Sequence, residues 1–294
     1  NSVAGLWRVM TSLRAAIRDL KPDVVHSHMV HSNLVTRLLR CVVPIPRLVC
    51  TAHSTNEGGW HRMLAYRLTD RLADITTNVS DEAVAAFEQA RAVPRGRMLA
   101  VHNGIDTQAF CYSQACRDQT RALLGLDSTT PLILAVGRLD PVKNYPNLLG
   151  ALARLPVQLE WKAVIAGAGP LEAQLRGLAE DLGLTERVRL LGVRRDVREL
   201  MCAADVFVLS SDHEGFPMVV GEAMACERVV VATDCGGVAE FTGGLGPLVP
   251  PRDPGALAAA LAQAIAMPLD QARQLGQQAR QRVQDLYSLD AAVE

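Results

Sequence analysis

Lysine is nearly missing from this chain: only three occur among 294 residues, at 21, 143 and 162, against 27 arginines. A lysine inside a motif is therefore far from background. Long apolar runs are missing too. None approaches the roughly 18 residues of a membrane span; the longest, Ala256 to Met267, is broken by Gln263. A signal-type apolar segment is absent from the start, where Arg8, Arg14 and Arg18 interrupt it. The seven cysteines, at 41, 50, 111, 116, 202, 226 and 235, contain no CxxC pair and are odd in number. They give no sign of a zinc ribbon or disulfide framework and fit reduced thiols. No charge excess exists either, with 30 Lys+Arg against 31 Asp+Glu and a net charge of −1. A nucleic-acid partner would find no global field. With 49% hydrophobic and 21% charged residues the composition is globular. At roughly 100–200 residues per domain, the length fits two domains.

What is present is a regular alternation of short apolar runs and longer amphipathic stretches. The runs are Val24–His26, Leu48–Ala52, Ile75–Asn78 and Met98–His102, then Leu132–Gly137, Lys162–Ala166, Val188–Leu191, Val206–Ser210 and Val229–Thr233. Segments such as Val30–Leu39, Asp81–Ala90 and Pro217–Cys226 read as helices. Ser80 before Asp81 and Glu82 is an N-cap followed by acidic first-turn residues. Strands alternating with helices build a parallel sheet covered on both faces. Two such series predict two doubly wound α/β domains, 1–120 and 121–268, with Cys116–Thr130 as the linker. Residues 269–294 form a C-terminal helical segment, expected to pack back toward the first domain. The chain opens at Asn1 with no strand before its first helix and stops in mid-pattern at Glu294. The first domain is therefore expected to be incomplete at its start. Charge divides as well: residues 1–120 carry 14 basic and 10 acidic groups, the remainder 16 and 21.

Two strand-to-helix junctions of the second domain carry chemistry. Ser211-Asp212-His213-Glu214-Gly215-Phe216-Pro217-Met218-Val219-Val220-Gly221-Glu222 follows one strand and opens a helix. Ligands of parallel α/β sheets bind at the carboxyl ends of strands. There the N–H groups of a new helix favour an anion such as a diphosphate. Pro217 suits the first helical position, leaving Phe216, Met218 and Val219 as donors. Glu222 lies in the second turn, where two oxygens suit a vicinal diol, and Glu214 lies in the preceding loop. Taken alone, both carboxylates could equally be solubilising charges. The second junction, Gly137-Arg138-Leu139-Asp140-Pro141-Val142-Lys143-Asn144, adds two cations. Surface cations are usually only solvated, but two junctions of one domain both equipped for an anion weigh against that plainer reading. A third turn, Ala166-Gly167-Ala168-Gly169-Pro170-Leu171-Glu172, starts like a dinucleotide fingerprint and departs from it at Glu172. It reads as a close-approach turn lining a nucleotide. Asp234-Cys235-Gly236-Gly237 is a further glycine turn on the same edge.

In this order GRLDPVKN, AGAGP, ADVFVLSSDHEGFPMVVGEAMA and ATDCGGVAEF, preceded by PDVVHSH, TAHS, VSDEAV and VHNGID, resemble the retaining GT-B glycosyltransferases of family 4. The resemblance runs from about Pro22 to Tyr287. It implies two Rossmann-like domains facing across a cleft, the second holding a nucleotide diphosphate sugar, UDP- or GDP-linked. By this resemblance Arg138 and Lys143 bind the diphosphate and stabilise the leaving group, and Glu222 holds the ribose hydroxyls. Glu214 contacts the donor sugar. His53, in Thr51-Ala52-His53, faces that sugar. The implied catalytic set is His53, Arg138, Lys143 and Glu214. Gly137, Gly167, Gly169, Gly215, Phe216, Pro217, Met218 and Val219 complete the donor site. Asn103-Gly104-Ile105-Asp106 matches the family's turn before the interdomain region, where structural and catalytic roles both stay open.

The expected reaction transfers a hexose with retention to a saccharide or lipid-linked saccharide, as in polysaccharide or glycoconjugate synthesis. No Asp-x-Asp metal pattern is present, so phosphate neutralisation falls to Arg138 and Lys143, with no cofactor and no metal expected. His26, His28 and His31 do not aim at one point from their spacing and read as lining of the acceptor side. His213 is expected to back Glu214. The family's glycine-rich first turn of the N-terminal domain is absent from this chain. Expected partners are the nucleotide sugar, the acceptor and, from the basic first half, an anionic membrane surface; nucleic acid is not among them. The expected location is cytoplasmic, peripheral at the inner membrane face. Two other readings stay open: another GT-B enzyme, such as a sugar-nucleotide epimerase or a sucrose- or starch-type synthase, and a non-catalytic nucleotide-sugar-binding fragment.

Overall fold

The structure, a computed structural model, describes residues 3–55 and 57–293. Asn1 and Glu294, the two ends noted above, lie outside the described residues together with Ser2 and Asn56. The chain divides into two compact units, residues 1–102 and 103–294. In the first, α1 (Val3–Leu20) precedes β1 (Val24–His28), α2 (Val30–Leu39), β2 (Arg47–Thr51) and α3 (Trp60–Thr69). A 3₁₀ turn (Asp70–Leu72), β3 (Ile75–Asn78), α4 (Asp81–Gln89) and β4 (Met98–Ala100) follow. Its four parallel strands lie in chain order. The cap on α4 forms as predicted, Ser80 accepting the N–H of Ala83.

The second unit runs α5 (Gln114–Leu124), β5 (Leu132–Val136), α6 (Tyr145–Leu152), β6 (Lys162–Ala166), α7 (Glu172–Asp181), β7 (Val188–Gly192), α8 (Val197–Ala203) and β8 (Val206–Leu209). Then come α9 (Met218–Ala225), β9 (Val229–Thr233), α10 (Val238–Thr242), β10 (Leu248–Val249), α11 (Pro254–Ile265) and α12 (Leu269–Tyr287). Strands β8 and β9 are buried along their whole length, as a sheet covered on both faces requires. The strand order is β10-β9-β8-β5-β6-β7, with parallel pairing throughout. The chain winds outward from β5 to β7, returns to β8, and winds the other way to β10. In such a doubly wound sheet the crevice opens at the reversal, beyond the carboxyl ends of β5 and β8.

Two features differ from the sequence reading. The segment 116–130 is not a linker, because most of it is α5. Ser113 caps this helix by accepting the N–H of Cys116, and Gly125 ends it in the left-handed region. Its inward face carries arginines where an apolar stripe would be looked for. Arg117 donates to the carbonyls of Ala203 and Ala204 at 2.9 Å each and to Asp205 Oδ1 at 2.6 Å. Buried Arg121 reaches the Ala203 carbonyl at 2.9 Å and Asp205 Oδ2 at 3.2 Å. The same Asp205 oxygen accepts the N–H of Leu132 at 2.8 Å. These bonds hold α5 on the second unit, and Arg280 adds bonds to the carbonyls of Thr107 and Phe110, so the unit begins at Asn103, ahead of the boundary placed at 120. Helix α12 packs on α9 of its own unit, with Gly276 against the Glu227 carbonyl, where a Cβ would come within 2.3 Å. Beyond it, Ile105 pairs with Ser288: the Ile105 N–H meets the Tyr287 carbonyl at 2.7 Å, and the Leu289 N–H meets the Ile105 carbonyl at 3.1 Å. The Asn103–Asp106 turn thus has a structural function.

Replacing Asp205 leaves a buried guanidinium with carbonyl partners only. Asp205→Ala is expected to destabilise the second unit by about 2–4 kcal/mol, since it strands the buried charge of Arg121. Urea unfolding of the variant, followed by circular dichroism, checks the midpoint shift.

Candidate active site

The turns after β5 and β8 are joined to each other by their own atoms. The Asp212 N–H donates to the Val142 carbonyl at 2.8 Å. Ser210 Oγ donates to the Lys143 carbonyl at 2.9 Å, and Asn144 Nδ2 to Asp212 Oδ1 at 2.7 Å. Asp140 caps the short 3₁₀ turn at Pro141–Lys143 by accepting the N–H groups of Val142 and Lys143. This cap fixes the backbone of Lys143, whose Nζ donates to Glu214 Oε1 at 2.6 Å. Ser211 Oγ donates to the same oxygen at 2.6 Å. Arg138 stands free of such an embrace: its side chain is 73% exposed and its Nε lies 3.7 Å from Asp140.

A crevice of ≈540 Å³ gathers these groups. Of the residues predicted for the site, Gly137, Arg138, Lys143, Glu214, Phe216, Pro217, Met218, Val219 and Glu222 line it. Arg195, from the turn after β7, and Phe110 line it as well. The sequence reading missed Arg195; its position at the carboxyl end of a strand of this sheet was the available signal. Asp212, Asn144 and Ser210, which tie the turns together, were legible only as part of a motif. His213 is exposed and is not among the lining residues.

Helix α9 starts at Met218, so Pro217 occupies the capping position rather than the first helical one. The Met218 N–H is spent on the Phe216 carbonyl at 2.9 Å, which removes one of the three expected donors. Phe216 anchors the turn from below. Its ring is buried, 4.6 Å from the ring of Phe241 and 5.6 Å from that of Tyr287, and the latter two stack at 4.3 Å. Glu222, one turn into α9, is half-buried, and burial raises its carboxyl above the ordinary value.

The glycines of the third turn serve the site through its backbone. Gly167 has φ +149°, and a Cβ there would lie 1.9 Å from the Gly137 carbonyl oxygen. At Gly169 it would lie 2.3 Å from the Leu139 oxygen. Gly167 lines a ≈210 Å³ hollow beside Gly137 and Arg138, whereas Gly169 packs under the β5 turn. Gly236, at φ +56°, does the same for the β8 turn, with 1.8 Å from a Cβ to the Glu214 carbonyl oxygen. Close approach was read correctly from the glycines, but the group admitted is chain rather than ligand at Gly169 and Gly236. The Gly237 N–H reaches the Gly215 carbonyl at 3.3 Å, so Gly215 too is held by this glycine turn.

His53 belongs to the first unit, at the carboxyl end of β2. Its Nε2 lies 3.0 Å from His28 Nδ1, and His26 Nε2 lies 2.7 Å from Thr51 Oγ1. Burial, and then the neighbouring rings, push His26 and His53 below the ordinary histidine value, which favours neutral imidazoles. His31 is exposed on α2 and takes no part in these contacts. The cluster is therefore His26, His28 and His53, a set the spacing of the first three histidines did not show.

Two parallel α/β units, one with a charged crevice at its switch point, are the architecture of the GT-B glycosyltransferases. The second unit matches the family model "Glycosyl transferases group 1" over residues 117–282, and residues 2–109 match "Glycosyltransferase Family 4". The chain belongs to the group 1 glycosyltransferases. It is 32% identical over 262 residues to a D-inositol 3-phosphate glycosyltransferase of Mycobacterium marinum, covering 81% of this chain and 54% of that protein. It is 30% identical to the alpha-maltose-1-phosphate synthase of Mycolicibacterium smegmatis, over 90% of this chain and 75% of that protein. The chain spans about half the length of the first of these curated relatives. Among solved structures, sucrose-phosphate synthase of Thermosynechococcus elongatus superposes with a TM-score of 0.86 at 27% identity, covering 98% of this chain and 75% of that one. Anabaena Alr3699/HepE, solved with UDP and glucose, has a TM-score of 0.84 at 24% identity, covering 98% and 78%.

Glu222 binds its proton more tightly in the folded than in the unfolded chain, so its contribution lowers stability as pH rises through the raised pKa. Glu222→Gln removes that loss. The unliganded variant is expected to match the wild type near pH 4 and to exceed it near pH 8, measured by denaturant titration at both values.

Proposed function

We propose that the second unit binds the diphosphate of a UDP- or GDP-hexose and that the protein transfers the hexose, with retention, to a saccharide or lipid-linked saccharide. The observation that carries this reading is the convergence of Lys143, Arg138 and the start of α9 on one crevice at the switch point. Fixed cations beside the N-terminus of a helix suit a diphosphate. Arg138, largely in solvent, is available to close on it. Glu222 would accept from the ribose diol, and the new bonds would offset the cost of its buried charge. Glu214 holds Lys143 in the unliganded site and would pass to the sugar hydroxyls once phosphate takes over the ammonium. In this scheme the departing diphosphate, stabilised by Arg138 and Lys143, accepts the proton of the incoming hydroxyl. Charge neutralisation in this reading needs no metal ion.

Thermal unfolding with UDP, GDP and ADP, with and without EDTA, tests the donor site. A nucleotide at about 100 times its Kd stabilises by about 2.7 kcal/mol. The expected result is a shift with one base that EDTA does not change and that Glu222→Ala removes; no shift with any of the three overturns the reading. For the reaction, Lys143→Ala is expected to lower kcat by about 10²–10³-fold, the usual loss of one preorganised charge-stabilising group. An unchanged kcat would overturn the role given to Lys143.

A further inference from the structure

Four of the seven cysteines gather at one place in the second unit, and none of them lines the crevice. Cys111 precedes α5, Cys116 lies in its first turn, Cys202 is in α8 and Cys226 follows α9. All four are free thiols; Cys202 and Cys226 are buried, Cys111 and Cys116 half-buried. Cys202 is the centre of the group. Its Sγ donates to the Cys111 carbonyl at 3.5 Å, and the thiols of Cys226 and Cys116 both hydrogen-bond with it. Three guanidinium groups surround the cluster. Arg198 Nη2 lies 3.6 Å from Cys111 Sγ, Arg117 donates to the Cys202 carbonyl at 3.4 Å, and Arg228 Nε to the Cys226 carbonyl at 2.7 Å. The acidic groups beside them, Asp205 and Glu199, pair with Arg117 and Arg198.

The hydrogen bond from Cys226 holds Cys202 below the ordinary cysteine value against the cost of burial, and the Ser113 N–H at the cap of α5 adds to it. The same bond pushes Cys226 up, and burial pushes Cys116 up. One thiolate therefore stands beside a protonated thiol that solvent partly reaches, and such a pair suits a peroxide-reactive cysteine with a resolving partner. We infer that Cys202 and Cys116 are a site of reversible oxidation by hydroperoxides, closing to a disulfide between α8 and α5. The Cys202 sulfur attacks one oxygen of hydrogen peroxide, the O–O bond breaks and hydroxide leaves, giving a sulfenic acid. Cys116 then gives up its proton, its sulfur attacks that of Cys202, the S–O bond breaks and water departs. The two sulfurs together lose the two electrons that peroxide gains. Cys226 donates to Cys202 from the buried side, which leaves Cys116 to resolve the sulfenic acid. No crevice residue takes part, so this inference and the donor-site reading can fail separately.

Hydrogen peroxide, added in small excess to the reduced protein, tests it. The thiol count of the denatured chain is expected to fall by two from seven, and to return with dithiothreitol. Trypsin without reduction is expected to release residues 98–117 joined to residues 199–228. Each of these peptides carries two of the four cysteines, so variants assign the pair. Cys116→Ser and Cys202→Ser are expected to abolish the joined peptides, and Cys111→Ser and Cys226→Ser to keep them. Cys116→Ser, at a half-buried position, should keep the wild-type melting temperature, which separates lost chemistry from lost folding. An unchanged thiol count, oxidation that dithiothreitol does not reverse, or joined peptides that survive Cys116→Ser overturns the inference. So does a disulfide formed between chains, seen as a dimer on a non-reducing gel.

Discussion

Lys143 and Glu214 lie 71 residues apart in the chain and meet at 2.6 Å because the sheet reverses its direction of winding between β5 and β8. The rest of the second unit's site depends on that reversal. It sets two strand ends side by side with no helix between them, and leaves the turns that follow to find each other. Their contacts, Asp212 on Val142, Ser210 on the Lys143 carbonyl and Asn144 on Asp212, are all made by the chain itself. The two turns are therefore positioned by contacts of their own backbone and side chains. Gly167, Gly169 and Gly236 let the neighbouring turns press against these two closely enough to hold them.

The arginine bias has a structural account. Arg117, Arg121 and Arg280 each spread over several backbone carbonyls, and Arg37, fully buried, reaches Thr76, Thr69 and the Tyr66 carbonyl. A planar fork with five donors can satisfy several acceptors at once, whereas an ammonium on a flexible stem cannot hold that geometry. These arginines work as internal staples between elements. Lys143, by contrast, sets a compact point charge against a single carboxylate.

Much of the fold was legible in the sequence. Strands β3, β6 and β9 and helix α2 fall on the predicted residues, since apolar period and flanking turn residues agree there. The crevice was legible through motifs that sit at strand ends. Helix α5 was not, because its inward face is arginine and its pattern reads as polar linker. Strand β10 has two residues, too few for any period. The pairing of His28 with His53 joins the end of β1 to the residue two past the end of β2, 25 residues on, and only strand order and register bring them together. The function of Gly169 and Gly236 was half legible: tight approach follows from residue type, but the identity of the approaching group requires the packing.

The bridge between Ile105 and Ser288 has a further consequence. It ties the point where the chain enters the second unit to the point just after its last long helix. Everything between, the whole doubly wound sheet and its helices, is a loop closed at its neck by two backbone hydrogen bonds. A module with joined entry and exit can be spliced into a longer polypeptide, or lost from one, without opening its core. The crevice at the switch point is thus carried on a cassette closed at its own neck.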